Sequence, residues 1–589
     1  MSDAFEKRIK KHIIGKTHRF LAVSPLGFEQ TLVRELEFIQ RETRDERREN
    51  FQEGALLRSK TQNIDGSSAI GTANQPHVTG DGKVEFTAKI TEAWKIVAYS
   101  RIANRVLMEV ANFKAENFRE LEKKAAEIPW ELFLLDDNHL KRESRPTELA
   151  EPNGWELSEA KVQRRETRDE RRETATIQGE RFDKLTDLNK STCVFSSNSE
   201  PATSNSIHIH VTCKHSRLYH SDAIAERLYN VITQSMPQSE ANSSGAPIPQ
   251  NFYVDFLDDR CTIWLDLAGE ELYKRGFERF VNDAPLKETI AAGMLFEAIH
   301  LMDPISTSSL QDDASGAPVP HFLLPTSYCL LDLMSGSGTF SLEAACIANK
   351  IIPGICRDFA LKHQPAFKEA TWKFLTRRET KDERRETKDD NHLKRESHPT
   401  ELGMPACKQS VAKLASHVIA STKCEAIHHP IIEKILTSDI SERAVSIIKH
   451  NIECSPLASV SPTPILPRHY DFFNYTANEI ADACGEASPI LVLNPPYGKR
   501  LHFDAPKLYT NIGKKIAELA HDLKSSNKRL TVAILVPKDD NREGSKYTCT
   551  ANFLHECPAM SPKKNPAAKQ IITSHGGFSL NVFIAVLDS

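Results

Sequence analysis

The residues best suited to chemistry are Asn494-Pro495-Pro496-Tyr497, which follow the apolar run 490–493 and precede Gly498. The target such a loop suits is an exocyclic base amine such as that of guanine, whose nitrogen is a poor nucleophile because its lone pair is delocalised into the ring. A catalyst must hold that amine and redirect it. The side-chain oxygen of Asn494 and the backbone carbonyl of Pro495 can accept both amine hydrogens, favour a pyramidal nitrogen and aim its lone pair at a sulfonium methyl group. Two consecutive prolines stiffen the loop and remove competing N–H donors. Tyr497 offers a ring on which a base turned out of its helix or loop can stack. A rigid turn closing a strand is the plainer alternative. The combination of asparagine, both prolines and an aromatic ring after a buried strand favours chemistry.

A second cluster lies upstream in LLDLMSGSGTFSLEAACIA (330–348), where Asp332, Gly336 and Gly338 separate a buried-strand pattern from a helix. Glycines there let the backbone turn sharply and a ligand approach without a β-carbon in the way. A nicotinamide or flavin fingerprint would need a third glycine, but the position three after Gly338 is Ser341, so a dinucleotide is disfavoured. Asp439 follows the strand-like 434–436 and is placed to accept from ribose hydroxyls, and Asp471 follows the next strand at reach of an adenine amine. Either is equally an ordinary N-cap or turn aspartate. His208 and His210 share one strand face and suggest a metal pair, but no third ligand accompanies them, so no metal is expected. The fragment RLYHSDAIAERL (217–228) reads as a basic contact surface or as an ordinary amphipathic helix.

These motifs need a scaffold. From about Asn251 onward, strand patterns alternate with helix patterns (YCLLDLM, EKILTSD, ILPRHYD, PILVLN, LTVAILVP and SLNVFIAVL), which predicts an α/β, doubly wound, mostly parallel sheet. The earlier part reads as α+β, with strands at 20–25, 105–113 and 206–213 and helices at 28–39, 91–101, 116–128 and 222–232. Ser/Asn/Pro-rich stretches at 196–206 and 238–249 read as loops, the second as the main domain boundary. Charged cassettes interrupt this plan. RETRDERRE at 41–49 returns at 164–173 and, with lysine, at 377–386, while DDNHLKRESRPTEL at 136–149 recurs nearly unchanged at 389–402. They lack large apolar side chains and an even period, and their acidic and basic residues cancel, so they read as inserted, solvated segments.

A chain of 589 residues exceeds what one core usually organises. With 40% hydrophobic residues and no apolar run of the roughly 18 residues a membrane span needs, a soluble, cytoplasmic protein without membrane association is expected. Twelve cysteines without a CxxC pair suggest neither a zinc ribbon nor a disulfide framework. A formal net charge of −4 gives no global nucleic-acid signature, so RNA binding would rest on local patches.

Taken together, the sequence resembles the THUMP-containing RNA guanine-N2 methyltransferases, the group of bacterial 23S rRNA enzymes and related tRNA enzymes. The resemblance lies in FLAVSPLGFEQTLVREL, EAWKIVAYSRIANRVLMEVANF, VTCKHSRLYHSDAIAERL, the run 263–295, the excursion IIPGICRDFALKHQPAFKEATWKFL and the NPPY loop. It implies a class I Rossmann-like methyltransferase domain over 251–589, with a charged insert near 377–402. Ferredoxin-like and THUMP RNA-binding modules over 18–235, with inserts near 40–50 and 136–175, would precede it. It further implies S-adenosyl-L-methionine as cofactor, contacted by Asp332, Gly336, Gly338, Thr339, Asp439 and Asp471, and catalytic roles for Asn494, Pro495, Pro496 and Tyr497. The implied partner is RNA, 23S rRNA ahead of tRNA. A tRNA guanine-N2 enzyme, a protein glutamine N5-methyltransferase and a non-catalytic RNA-binding protein are the alternatives. The family usually has proline and cysteine where this chain has Leu333 and Ser335; the glycines are intact.

Overall fold

The computed structural model describes residues 3–56, 75–134, 207–235, 249–281, 285–302, 327–377, 431–460, 465–497, 504–540 and 547–587. The cassettes at 136–149, 164–173 and 389–402, nearly all of 377–386, Gly498 and most of the expected linkers lie outside them. The cassette at 41–49 falls within a described helix. Two compact units are present: Met1–Glu6 with Val110–Trp264, and Lys7–Glu109 with Leu265–Ser589. The chain thus leaves its first long stretch for a separate unit and returns.

The larger unit begins with β1 (Thr17–Val23), α1 (Glu29–Leu56), β2 (His77–Gly80), β3 (Lys83–Lys89), α2 (Ile90–Tyr99) and the first half of β4 (Arg105–Lys114). β1 pairs antiparallel with both β3 and β4, and β2 flanks β3. Alternation makes this sheet: Val84, Phe86 and Ala88 of β3 point inward while the residues between them are half-buried. The expected helix at 28–39 is longer than its apolar period, because α1 runs on through the cassette to Leu56.

The smaller unit holds α3 (Phe118–Ala126), β5 (Ile207–Lys214), α4 (Ser221–Ser235), β6 (Gln250–Leu257) and most of β7 (Arg260–Asp266). β5 and β6 are parallel. Asp258 and Asp259, both at positive φ (50° and 62°), turn β6 into β7, a backbone conformation aspartate tolerates. The stretch from Asn251 therefore opens with a hairpin rather than with the expected βα alternation. His210 stacks on Tyr253 with ring centroids 4.7 Å apart, and the 217–228 fragment enters α4 as an amphipathic helix.

The remainder of the larger unit is α5 (Glu288–Met302), β8 (Ser327–Asp332), α6 (Thr339–Ala348), β9 (Ile431–Asp439), α7 (Glu442–Cys454), β10 (Ile465–His469), α8 (Ala477–Cys484), β11 (Ser488–Leu493), α9 (Ala505–Leu523), β12 (Leu530–Pro537), α10 (Cys549–Glu556), β13 (Lys569–His575) and β14 (Phe578–Leu587). These strands form one seven-stranded sheet in the order β10-β9-β8-β11-β12-β14-β13. The first five are parallel and β14 runs antiparallel to both neighbours. All eight residues of β12 are buried, as expected where helices cover both faces. Each fully buried Val, Leu or Ile there contributes about 1.5–3 kcal/mol. Among the described residues no helix is long and apolar enough to cross a membrane.

The early stretch packs onto this domain through specific contacts. Gly293 on α5 receives the ring of Phe28, since a β-carbon there would lie 2.6 Å from Phe28 Cδ1. Glu297 on the same helix accepts from Thr31, Arg34 and Lys569. Deeper still, Glu343 of α6 accepts from Arg275 Nε (2.9 Å) and Arg101 Nη1 (3.2 Å), and all three side chains are buried. Burial alone would raise the Glu343 carboxyl; Arg275 and Arg101 more than offset it and hold it below the ordinary glutamate range. Replacing Glu343 with leucine would leave two buried guanidiniums without their carboxylate, a change expected to cost about 3–5 kcal/mol. Urea unfolding checks this: the midpoint of Glu343→Leu should fall well below wild type, and an unchanged midpoint would show that the arginines find other partners.

Candidate active site

Strand register decides where the chemistry-bearing residues go. Asp332 ends β8 opposite Val492 of β11 and opposite Thr437 of β9. Asn494 and Asp439 therefore each leave their strands two residues beyond the level of Asp332, on either side of it. His469 of β10 is in turn level with Asp439, which puts Asp471 two residues further on. Four loops thus emerge side by side at the carboxyl ends of adjacent parallel strands. β8 is also where the sheet order reverses direction: β9 and β10 lie on one side, β11 and β12 on the other. Open α/β sheets bind ligands in the crevice at that switch point.

The glycine loop is built for approach. Gly336 (φ 54°) and Gly338 (φ 79°) both hold left-handed backbone. No atom lies within 4 Å of the place a Gly336 β-carbon would occupy, so the loop is open there, whereas one on Gly338 would meet Ile448 at 3.0 Å. The loop is held from behind. Asp332 Oδ2 accepts from the Ser341 amide (3.1 Å) and hydroxyl (2.6 Å) in the first turn of α6, while Ser335 donates through N and Oγ to the Ser438 carbonyl. Asp439 Oδ2 accepts from Gly336 N (2.9 Å) and its Oδ1 from Ser441 N (2.8 Å). Asp471 caps a short helical turn, accepting from Phe473 N at 3.0 Å.

Asp332 and Thr339 are both buried, and Thr339 Oγ1 accepts from Arg279 Nη2 at 2.5 Å. Asp439 is partly exposed. Arg279 also pairs with Glu288, and Asn451 of α7 ties the backbone of Phe280 and Ser337 together at 2.8–3.1 Å. The segment around 276–281 is thereby strapped over the glycine loop. Neither Arg279 nor Asn451 was marked by a local pattern, since each acts on residues distant in sequence.

On the other side of β8, Asn494 Oδ1 is shielded from solvent and has no hydrogen-bond partner among the described residues. A buried acceptor left unpaired is costly in an ordinary turn. Pro495 is buried and its carbonyl has only a long contact, 3.5 Å, from the Tyr509 hydroxyl, which also points to the Leu535 carbonyl at 3.3 Å. The Tyr497 hydroxyl bonds His575 Nδ1 at 2.9 Å, and its ring meets Phe578 edge-on with centroids 5.9 Å apart. The pair of acceptors needed to grip an amine is therefore present, beside a glycine cradle on the neighbouring strand.

Residues 326–534 match the family model described as "RMKL-like, methyltransferase domain". That stretch is similar to an RMKL-like methyltransferase domain. Its matched span takes in both the glycine loop and the NPPY loop. The chain is similar to the ribosomal RNA large subunit methyltransferase K/L of Psychromonas ingrahamii, 23% identical over 438 residues, which is 74% of this chain and 40% of that protein. The K/L enzyme of Alteromonas mediterranea is 26% identical over 282 residues, 48% of this chain and 28% of the relative. The chain thus spans well under half the length of these relatives. Among solved structures, a possible methylase from Clostridium difficile 630 aligns over 97% of this chain and 98% of its own, with TM-score 0.53 and 16% identity. SMU.472, a methyltransferase candidate complexed with SAH, aligns over 97% of this chain and 98% of its own, with TM-score 0.52 and 16% identity. Both support the fold of the RMKL-like domain.

One feature of the cradle is testable by pH. Burial, with a further push from Asp439, raises the Asp332 carboxyl from 3.8 to about 7, because its partners at Ser341 are neutral. The folded chain then holds a proton that the unfolded chain releases above 3.8, so this group lowers stability as pH rises from about 4 to about 7 and adds no further change above. Asp332→Asn lacks that titration. The difference in unfolding free energy between wild type and Asp332→Asn should move in the variant's favour across that window. A difference independent of pH would show that Asp332 is ionised throughout.

Proposed function

We propose that this chain is an S-adenosyl-L-methionine-dependent methyltransferase that modifies the exocyclic N2 amine of a guanine in large-subunit ribosomal RNA. The observation that carries the reading is the shielded, unpaired Asn494 Oδ1 in a proline-stiffened loop beside the open glycine cradle. The residues present fit the cofactor. Gly336 leaves room for close approach, and Asp439 stands beside it with lone pairs left for ribose hydroxyls. Asp471 retains one carboxylate oxygen beyond its capping bond for the adenine amine. When bound, S-adenosyl-L-methionine supplies an electrophilic methyl group on a sulfonium.

The protein's own contribution is positioning and polarisation. Asn494 Oδ1 and the Pro495 carbonyl accept the two amine hydrogens, which turns the nitrogen lone pair toward the donor. Tyr497 presents its ring to the extruded guanine. Transfer would break the donor's sulfur–methyl bond, leaving a neutral thioether and a cationic nitrogen; Asn494 and Pro495 would hold its N–H bonds until one proton leaves to solvent. The relatives' names point to ribosomal RNA, and the early α+β parts are read as ferredoxin-like and THUMP modules that grip RNA by phosphate and shape. The place of action is then the cytoplasm.

Asn494→Ala should abolish transfer while leaving donor affinity within about twofold, because Asn494 meets the acceptor amine and not the donor. Calorimetry beside an activity assay separates the two, and near wild-type turnover would end the catalytic role of Asn494. Asp439→Ala should instead weaken donor binding by about 1–3 kcal/mol, the cost of lost hydrogen bonds to a charged acceptor. Methylation of 23S rRNA should fall as salt rises and should exceed that of total tRNA at equal concentration; incorporation into tRNA alone would refute the ribosomal assignment.

A further inference from the structure

The β13–β14 hairpin is joined by Gly576 and Gly577, at φ 58° and 81°. Two consecutive residues at positive φ make the tight turn whose twist matches the flanking strands. That turn holds His575 and Phe578 directly opposite one another. Both touch Tyr497, the first at its hydroxyl (2.9 Å) and the second at its ring edge (5.9 Å between centroids). The tip of one rigid hairpin therefore grips the catalytic-loop tyrosine at two points.

We propose that His575 is a positioning residue that sets the plane of the Tyr497 ring by accepting the phenolic proton at Nδ1. This rests on the reading of the NPPY loop as catalytic. Burial keeps the Tyr497 phenol un-ionised and able to donate, so the nitrogen facing it is the unprotonated one. Among the described residues the titratable groups at its ring are Tyr497 from the catalytic loop and Lys287 from the segment before α5. Burial first, and Lys287 second, hold the imidazole below its ordinary value of 6.5, and burial holds the Tyr497 phenol well above its own, so the neutral pair persists at neutral pH. Protonation at lower pH removes the acceptor and frees the ring.

Three variants of the full-length protein test this. His575→Leu should lower kcat by roughly 10- to 100-fold, the cost of a misplaced reacting group, with donor affinity unchanged. His575→Asn, which keeps an acceptor near the Nδ1 position, should restore most of kcat and lack the decline in rate that wild type shows as pH falls below 6.5. Tyr497→Phe should add little to the loss in His575→Leu, since the two changes remove one interaction. A readout independent of turnover is the imidazole resonance in protein labelled at histidine Cε1: Tyr497→Phe should raise the pH at which His575 titrates. Wild-type kcat in His575→Leu, or an unmoved His575 titration in Tyr497→Phe, would overturn the proposal. Should the resonance respond while no RNA is methylated by wild type, the coupling would stand and the assigned reaction would fall.

Discussion

The parallel pairing of β8 with β11 is the constraint on which the site depends. Asp332 stands level with Val492, so the glycine loop and the NPPY loop leave the sheet at the same height on neighbouring strands. A slip of two residues would displace one loop by about 7 Å along the other, at roughly 3.3 Å per residue, and separate donor from acceptor. A slip of one residue would invert every side chain of β11 relative to the layers that bury it. Packing on both faces, visible in the burial of Ile490 through Leu493, makes this register costly to leave. The site's geometry is thus a product of the core rather than of the loops.

Two buried carboxylates on either side of the glycine loop show how differently charge is handled within a few residues. Glu343 is held ionised by two arginines and anchors α6 to Arg101 of the early stretch and Arg275 of the strap. Asp332 has only the neutral donors of Ser341 and is driven toward its protonated form. The ion cluster resists separation of the early stretch from the catalytic domain. The Asp332 cluster fixes the loop through hydrogen bonds from the neutral donors of Ser341.

Much of the sheet from β8 to β14 is legible in the sequence because β8, β11, β12 and β14 are short continuous apolar runs bounded by turn residues. β13 is not: KQIITSH is an edge strand with only two buried residues, and its pattern is too weak to separate from a loop. The β6–β7 hairpin escapes for a different reason, since its turn is Asp258-Asp259 rather than a glycine pair. Composition also points to a boundary near 238–249, while the compact units divide at 109–110 and 264–265, because packing by Phe28, Arg34 and Arg101 joins the early stretch to the catalytic domain. Within the site, Asn494, Gly336 and Asp439 are readable as motifs. Arg279, Asn451 and His575 are not, since each acts on residues dozens of positions away. The resemblance implies a cofactor contact for Thr339, whose hydroxyl accepts from Arg279.

The central claim is that this geometry delivers a methyl group to an exocyclic guanine amine in RNA. The most direct measurement is mass spectrometry of nucleosides from protein-free 23S rRNA after incubation with the purified protein and a deuterium-labelled methyl donor. The account predicts labelled N2-methylguanosine, at a position protected when the RNA is prepared from cells that already carry the modification. Labelled N6-methyladenosine, or label confined to protein glutamine in an added extract, would contradict it.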